Sequence, residues 1–230
     1  MTHTSGLPEL SDNPRYAAMT QEQRDALTNV DMVKIAAESP LRSEPGTTWS
    51  YHRFAYTLLG LVVERVSGAT FDAFLNERIF TRAGMTSSAF GDAEAVIARR
   101  APAYLRSGDS LRLNLYRFGF GNPGAGLNSS ASDLAKLMVF IDTHKLLKPS
   151  SLDAMWTAVS LAGGMTQPYG LGWTVETRDG RTIAGHEGGS AAWLLHYPIE
   201  HLSVIVLCNL NGSKADEIPY GVADLYLESR

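Results

Sequence analysis

The sequence predicts an α+β fold, and three observations lead there. Helical periodicity dominates the first two thirds, short alternating strands with turn signals fill the last third, and an amphipathic helix closes the chain. A doubly wound parallel fold would alternate strands and helices throughout, so that class is excluded. The 230 residues, 44% hydrophobic and 19% charged, are enough for a sizeable buried core. One domain over 1–230 is expected, helical over about 20–160 and sheet-forming over about 168–230.

Taken in order, residues 1–20 are rich in turn formers and read as loop. Thr20, with Gln23 three residues later, has capping-box spacing and opens a helix predicted over 21–38. Pro45-Gly46 marks a turn. A strong helix follows from about Phe54 to Val66, with Phe54, Leu58, Leu61, Val62 and Val66 at three-to-four spacing and Gly68 as its stop. A second helix is predicted from Phe71 to Ile79, whereas 85–126 is mixed and receives no assignment. Ser130 and Asp133 cap a further helix ending near Ile141. Leu171, Trp173 and Val175 alternate as on a half-buried strand, and Asp179-Gly180 signals a hairpin. Strands near 181–186, 191–197 and 202–208 follow, then a helix whose apolar stripe is Ile218, Val222 and Leu225.

A net charge of −4 and a pI near 5.9 exclude nucleic acid and anionic membrane as main partners, since both need a basic patch. No apolar run reaches the ~18–20 residues of a membrane span, and the N-terminus lacks a signal peptide's basic start and apolar core. As written, the chain reads as soluble and unexported. The single cysteine, Cys208, ends an apolar run and reads as a buried, inert thiol with no internal disulfide. The six histidines show no ligand spacing, so neither metal nor other cofactor is expected.

The run Pro45-Gly46-Thr47-Thr48-Trp49-Ser50-Tyr51-His52-Arg53, with the helix through Leu58-Leu59-Gly60 to Ser67-Gly68, resembles the second motif block of the β-lactamase-type (penicillin-recognising) serine hydrolases. Three further blocks agree in the same order. They are Thr2-His3-Thr4-Ser5-Gly6-Leu7-Pro8, then Gly126-Leu127-Asn128-Ser129-Ser130-Ala131-Ser132-Asp133-Leu134-Ala135, and Tyr169-Gly170-Leu171-Gly172-Trp173 followed by Gly185-His186-Glu187-Gly188-Gly189. The family holds class C β-lactamases, D-alanyl-D-alanine carboxypeptidases, D-aminopeptidases and esterases.

The resemblance implies acyl transfer to a serine and hydrolysis by water, with a small-molecule ester, amide or β-lactam as substrate. It implies a catalytic Tyr51 that relays protons, and a catalytic His186 that adds a donor and positive charge beside the substrate. Gly188 and Gly189 would let the strand backbone approach the substrate, the Gly189 N–H serving as one oxyanion-hole donor. Arg53 stands where the family has asparagine, and His52 where it has serine. A fixed planar cation there suits a carboxylate-bearing substrate, or marks relaxed constraint after loss of activity.

The family's nucleophile comes from Ser-x-x-Lys, normally just before the loop where this chain begins, and no serine or threonine here stands three residues before a lysine. Gly188-Gly189-Ser190-Ala191-Ala192 imitates a nucleophile elbow but lacks the final glycine and the following helix. The chain is therefore expected to lack both the nucleophile helix and the N-terminal strands, and to be inactive alone. Met1 falls where the family has an internal leucine or methionine. A fragment, a shortened reading frame and a non-catalytic binding protein that keeps the cleft all stay open. The strand over 203–208, which in the family pairs with an N-terminal strand, is expected to self-associate or take up an N-terminal fragment. Family members are often periplasmic or secreted and some are cytoplasmic, so the compartment stays open.

Overall fold

Helices lead and an antiparallel sheet with a covering helix ends the chain, which agrees with the α+β expectation. The structure, a computed structural model, describes residues 1–91, 96–114, 122–189, 192–213 and 215–228. Helix α1 (Gln21–Asp25) opens on the expected capping box of Thr20 and Gln23. The single helix expected over 21–38 is two, because a second box, Thr28 with Asp31, starts α2 (Asn29–Ala37). Each cap claims backbone donors that a continuous helix would use internally, so two caps in close succession cut the periodic stretch.

Helix α3 (Arg53–Ser67) stops where Gly68 turns left-handed at φ 72°. Its buried face differs from the expected stripe: Phe54, Thr57 and Gly60 are buried, while Val62 is exposed and Val66 is 83% exposed. A close approach that hydrophobic periodicity does not encode decides this. A Cβ on Gly60 would stand 2.1 Å from Pro123 Cγ, and Thr57 Oγ1 donates to Asn122 Oδ1 at 2.9 Å. The helix predicted over 71–79 begins as α4 (Phe71–Leu75), widens into a π-turn over Asn76–Phe80 and ends at Thr81–Ala83. Ser130 caps α5 (Ala131–Asp142), its hydroxyl accepting from the Asp133 amide as expected. Helix α6 (Pro149–Met155) was not foreseen; it is too short to show a stripe, and Pro149 in its first turn was the available signal.

Strands β1 (Thr174–Arg178), β2 (Arg181–Gly188), β3 (Ala192–Tyr197) and β4 (Leu202–Leu207) form one antiparallel sheet in the order β4-β3-β2-β1. The β1–β2 hairpin turns at Asp179-Gly180, with φ 51° and 76°, as its sequence signals. The strand expected from Leu171 starts instead at Thr174, because the Gly170 N–H turns back to the Trp173 carbonyl at 2.7 Å.

Ile183, Leu195, Tyr197 and Val204 pack on one sheet face against Ala223 of α7 (Glu217–Glu228). On the opposite face Leu194 meets Met138 and Ile141 of α5 and Leu152 of α6. His196 is fully buried on that side, its Nε2 3.1 Å from Asp142 Oδ1 and its Nδ1 3.0 Å from Ser203 Oγ.

Two expectations about the last third need correction. The α7 stripe of Ile218, Val222 and Leu225 is exposed, and Pro219 and Ala223 are buried instead. Tyr220 and Leu227 also pack against the sheet core, so the inward face is an apolar stripe of Tyr220, Ala223 and Leu227 rather than the expected one. Cys208 lies just past β4 and is only partly buried. Its sulfur accepts from Ser213 Oγ at 3.4 Å, and that bond holds the thiol pKa below its ordinary value. β4 is outermost in the sheet, pairing with β3 alone among the described residues. No helix of the described residues is long and apolar enough to cross a membrane.

Candidate active site

The site begins with a loop stapled to a second loop. The Ser50 N–H donates to the His3 carbonyl at 3.0 Å, Gly46 N–H to Thr4 at 2.7 Å and Arg42 N–H to Gly6 at 2.8 Å. Gly6 has φ 68°, and a Cβ there would stand 2.0 Å from the Ser43 carbonyl oxygen, so only glycine fits. This lays 2–8 along the segment that carries Tyr51 and puts His3, itself at φ 58° and 4% exposed, beneath it.

Tyr169 enters from the far side. It is buried just before β1, its carbonyl accepting from the Val159 N–H at 2.9 Å. A Cβ on the next residue, Gly170, would stand 2.2 Å from the Met155 carbonyl oxygen, so this glycine permits the close packing that fixes Tyr169. His186 arrives from β2.

The rings then form a connected cluster. His3 Nδ1 accepts from the His52 N–H at 3.0 Å, His3 Nε2 is 3.1 Å from Tyr169 Oη, and Tyr169 Oη is 2.9 Å from His186 Nε2. His186 Nδ1 meets the Glu187 carbonyl. The Tyr51 ring lies 4.5 Å from that of His3 and 6.0 Å from that of His186, centroid to centroid. Both ring nitrogens of His186 are thus engaged within the protein.

Burial shapes the acidities here. It lowers the His3 pKa to about 4, and raises those of Tyr169 and Tyr56. Burial also raises the pKa of Tyr51, against an opposing pull from the Arg53 charge. Tyr51 nonetheless keeps 49% of its surface exposed, facing a broad cleft.

Tyr51, Arg53, His186, Gly188 and Gly189, all singled out from sequence, line that same cleft. Arg53 is exposed at the first position of α3. A Cβ on Gly188 would lie 3.2 Å from the Ala192 Cβ across the β2–β3 pair, whereas one on Gly189 would meet open space. Ser190 and Ala191 of the elbow-like run lie outside the described residues. Among the described residues, no three His, Cys, Asp or Glu side chains gather as a metal site.

Sequence reasoning passed over His3 and Tyr169, although both sit inside motif blocks it used. A polar side chain gives no periodic signal of burial, so their place in the blocks was the only available sign.

A family model described as Beta-lactamase matches residues 1–227. The chain belongs to the β-lactamase family. It is 25% identical over 232 residues to a penicillin-binding protein of Bacillus subtilis (strain 168), covering 91% of this chain and 50% of that protein. It is 27% identical over 180 residues to a D-aminopeptidase of Brucella anthropi, covering 75% of this chain and 34% of the relative. The chain therefore spans half or less of the length of these relatives. The crystal structure of a penicillin-binding protein from Bacillus halodurans superposes with a TM-score of 0.79 at 26% identity, over 97% of this chain and 70% of that one. The mixed fold of helices and antiparallel sheet is that of this family.

Proposed function

We propose that this chain is the cleft-bearing part of a serine hydrolase that opens an ester, amide or β-lactam through an acyl-enzyme, and that it is inactive by itself. The observation that carries the reading is the convergence of Tyr51, His186, Gly188 and Gly189 on one cleft, with Tyr51 about half exposed there. In this reading Tyr51 passes a proton between nucleophile and leaving group, and the Gly189 N–H donates to the developing oxyanion. Arg53, exposed on the cleft wall, pairs with a carboxylate on the substrate. The D-aminopeptidase relative makes amides of D-amino acids the first substrates to try.

The nucleophile is assigned to no residue of this chain, because no lysine here has a serine or threonine three residues before it. The same observation favours a second reading, a binding protein that uses the cleft without chemistry. The outer edge of β4 is the proposed docking surface for a further strand, from a second copy or an N-terminal fragment.

Intact mass after exposure to a serine-reactive fluorophosphonate tests this. The chain alone is expected to show no adduct, and a stoichiometric adduct would sink the claim of inactivity. Joined to an N-terminal segment carrying Ser-x-x-Lys, it is expected to label once and to hydrolyse a D-aminoacyl amide or an ester. Tyr51→Phe in that protein is expected to lower turnover by about 100-fold or more. Substrate binding without labelling or turnover would establish the binding reading instead.

A further inference from the structure

The ring cluster beneath the cleft fixes the direction of each of its hydrogen bonds. The His52 amide hydrogen points at His3 Nδ1 over 3.0 Å, so that nitrogen holds a lone pair. His3 is buried and its pKa is lowered to about 4, so near neutral pH the ring carries one proton, on Nε2. That Nε2–H donates to Tyr169 Oη at 3.1 Å. Tyr56 directs its own hydroxyl to the Met1 carbonyl at 2.7 Å, so it brings no competing donor to Tyr169.

The single phenol hydrogen of Tyr169 then has two acceptors within reach, the Tyr56 oxygen, with which it also shares a hydrogen bond, and His186 Nε2, 2.9 Å away. On the other side of that imidazole, Nδ1 meets the Glu187 carbonyl, which only accepts, so Nδ1 carries the proton. With the single imidazole hydrogen on Nδ1, Nε2 keeps its lone pair and is an acceptor for the Tyr169 hydroxyl.

We infer that Tyr169, anchored by buried His3, is a positioning residue that holds His186 as the neutral Nδ1–H tautomer with its Nε2 lone pair bound inside the cluster. Which imidazole nitrogen carries the proton is set by the bond the other one makes, and here both bonds are supplied by the fold. His186 then serves the cleft through its ring and through the strand it orients, Glu187-Gly188, rather than as a fixed cation beside the substrate. This rests on His186 being a cleft residue, as proposed above, but not on the chain being a hydrolase.

Nitrogen-15 NMR of the histidine-labelled chain at neutral pH tests it, with His186→Gln supplying the assignment. In the unaltered chain His186 is expected as Nδ1–H in about tenfold excess over Nε2–H, the bias one hydrogen bond provides. Tyr169→Phe removes the donor and is expected to lower that excess several-fold, the Glu187 carbonyl still favouring Nδ1–H. His3→Gln keeps an acceptor for the His52 amide and a donor for Tyr169, and is expected to retain the native ratio. His3→Leu is expected to lower it.

A native His186 that is Nε2–H or doubly protonated would overturn the inference without any variant. So would a Tyr169→Phe chain that folds with the ratio of the two tautomers unchanged. Fluorophosphonate labelling and turnover play no part in these readouts, so failure of the hydrolase reading would leave the tautomer result standing, and the reverse.

Discussion

The floor of the cleft and the outer side of the sheet are built to opposite standards. Under the cleft, His3, Tyr169 and His186 have their ring nitrogens and the phenol oxygen in hydrogen bonds, and two glycines without room for a Cβ lock the loops that carry them. At the outer side, β4 lacks a second neighbour among the described residues, and Ile218, Val222 and Leu225 face solvent from α7. The difference is one of satisfied polar groups against uncovered apolar ones. Buried polar groups must be paired within the fold, because each one left alone costs about 1–3 kcal/mol. An apolar edge can instead wait for a partner and gain by covering it.

Breaking the closed side should have the largest effect. Gly170→Val drives a Cβ toward backbone that stands 2.2 Å away and has no flexible end to move. A loss of about 3 kcal/mol or more is expected by urea denaturation, or no cooperative folding at all. A change below about 1 kcal/mol would show that the Tyr169 segment yields and that the cluster is not rigidly held.

The sheet core comes next. Ile183→Ala, at a fully buried position, is expected to cost about 3 kcal/mol, whereas Leu225→Ala on the open face of α7 should stay within about 0.5 kcal/mol. Equal losses would mean that α7 is covered in solution. Leu207→Lys, on the exposed end of β4, sharpens the same contrast. It is expected to reduce self-association in light scattering with little change in unfolding, because a charge blocks edge pairing without disturbing the core. An unchanged association state would move the contact elsewhere.

A separate effect expected is an acid dependence. His3 is held from its ordinary 6.5 down to about 4, so between those values the unfolded chain binds a proton that the folded chain refuses. Stability should therefore fall as pH drops from 6.5, with the loss complete below about 4. His196, lowered chiefly by burial, adds in the same direction. His3→Gln should flatten the fall of Tm with pH, and a parallel curve would remove His3 as a source.

Much of the architecture was legible in local signals. The Thr20 and Ser130 caps, the Gly68 stop and the Asp179-Gly180 turn each act within a few residues, where backbone chemistry alone decides the outcome. The cleft residues were legible for a different reason: Tyr51, Arg53 and His186-Glu187-Gly188-Gly189 lie in ordered blocks that resemble a known family. Which face of a helix turns inward was not legible. In α3 the answer came from close approach at Gly60, and in α7 two apolar stripes at helical spacing compete, of which Tyr220, Ala223 and Leu227 turn inward.

The sequence by itself therefore determined the class of fold, several starts and stops of its elements and five residues that line the cleft, because caps, turns and motif blocks are local in the chain. Only the tertiary structure decided that His3 lies under Tyr51 and that Tyr169 bridges two histidines separated by most of the chain. Those are contacts between distant segments, and the direction of a proton along them depends on distances that no local pattern carries.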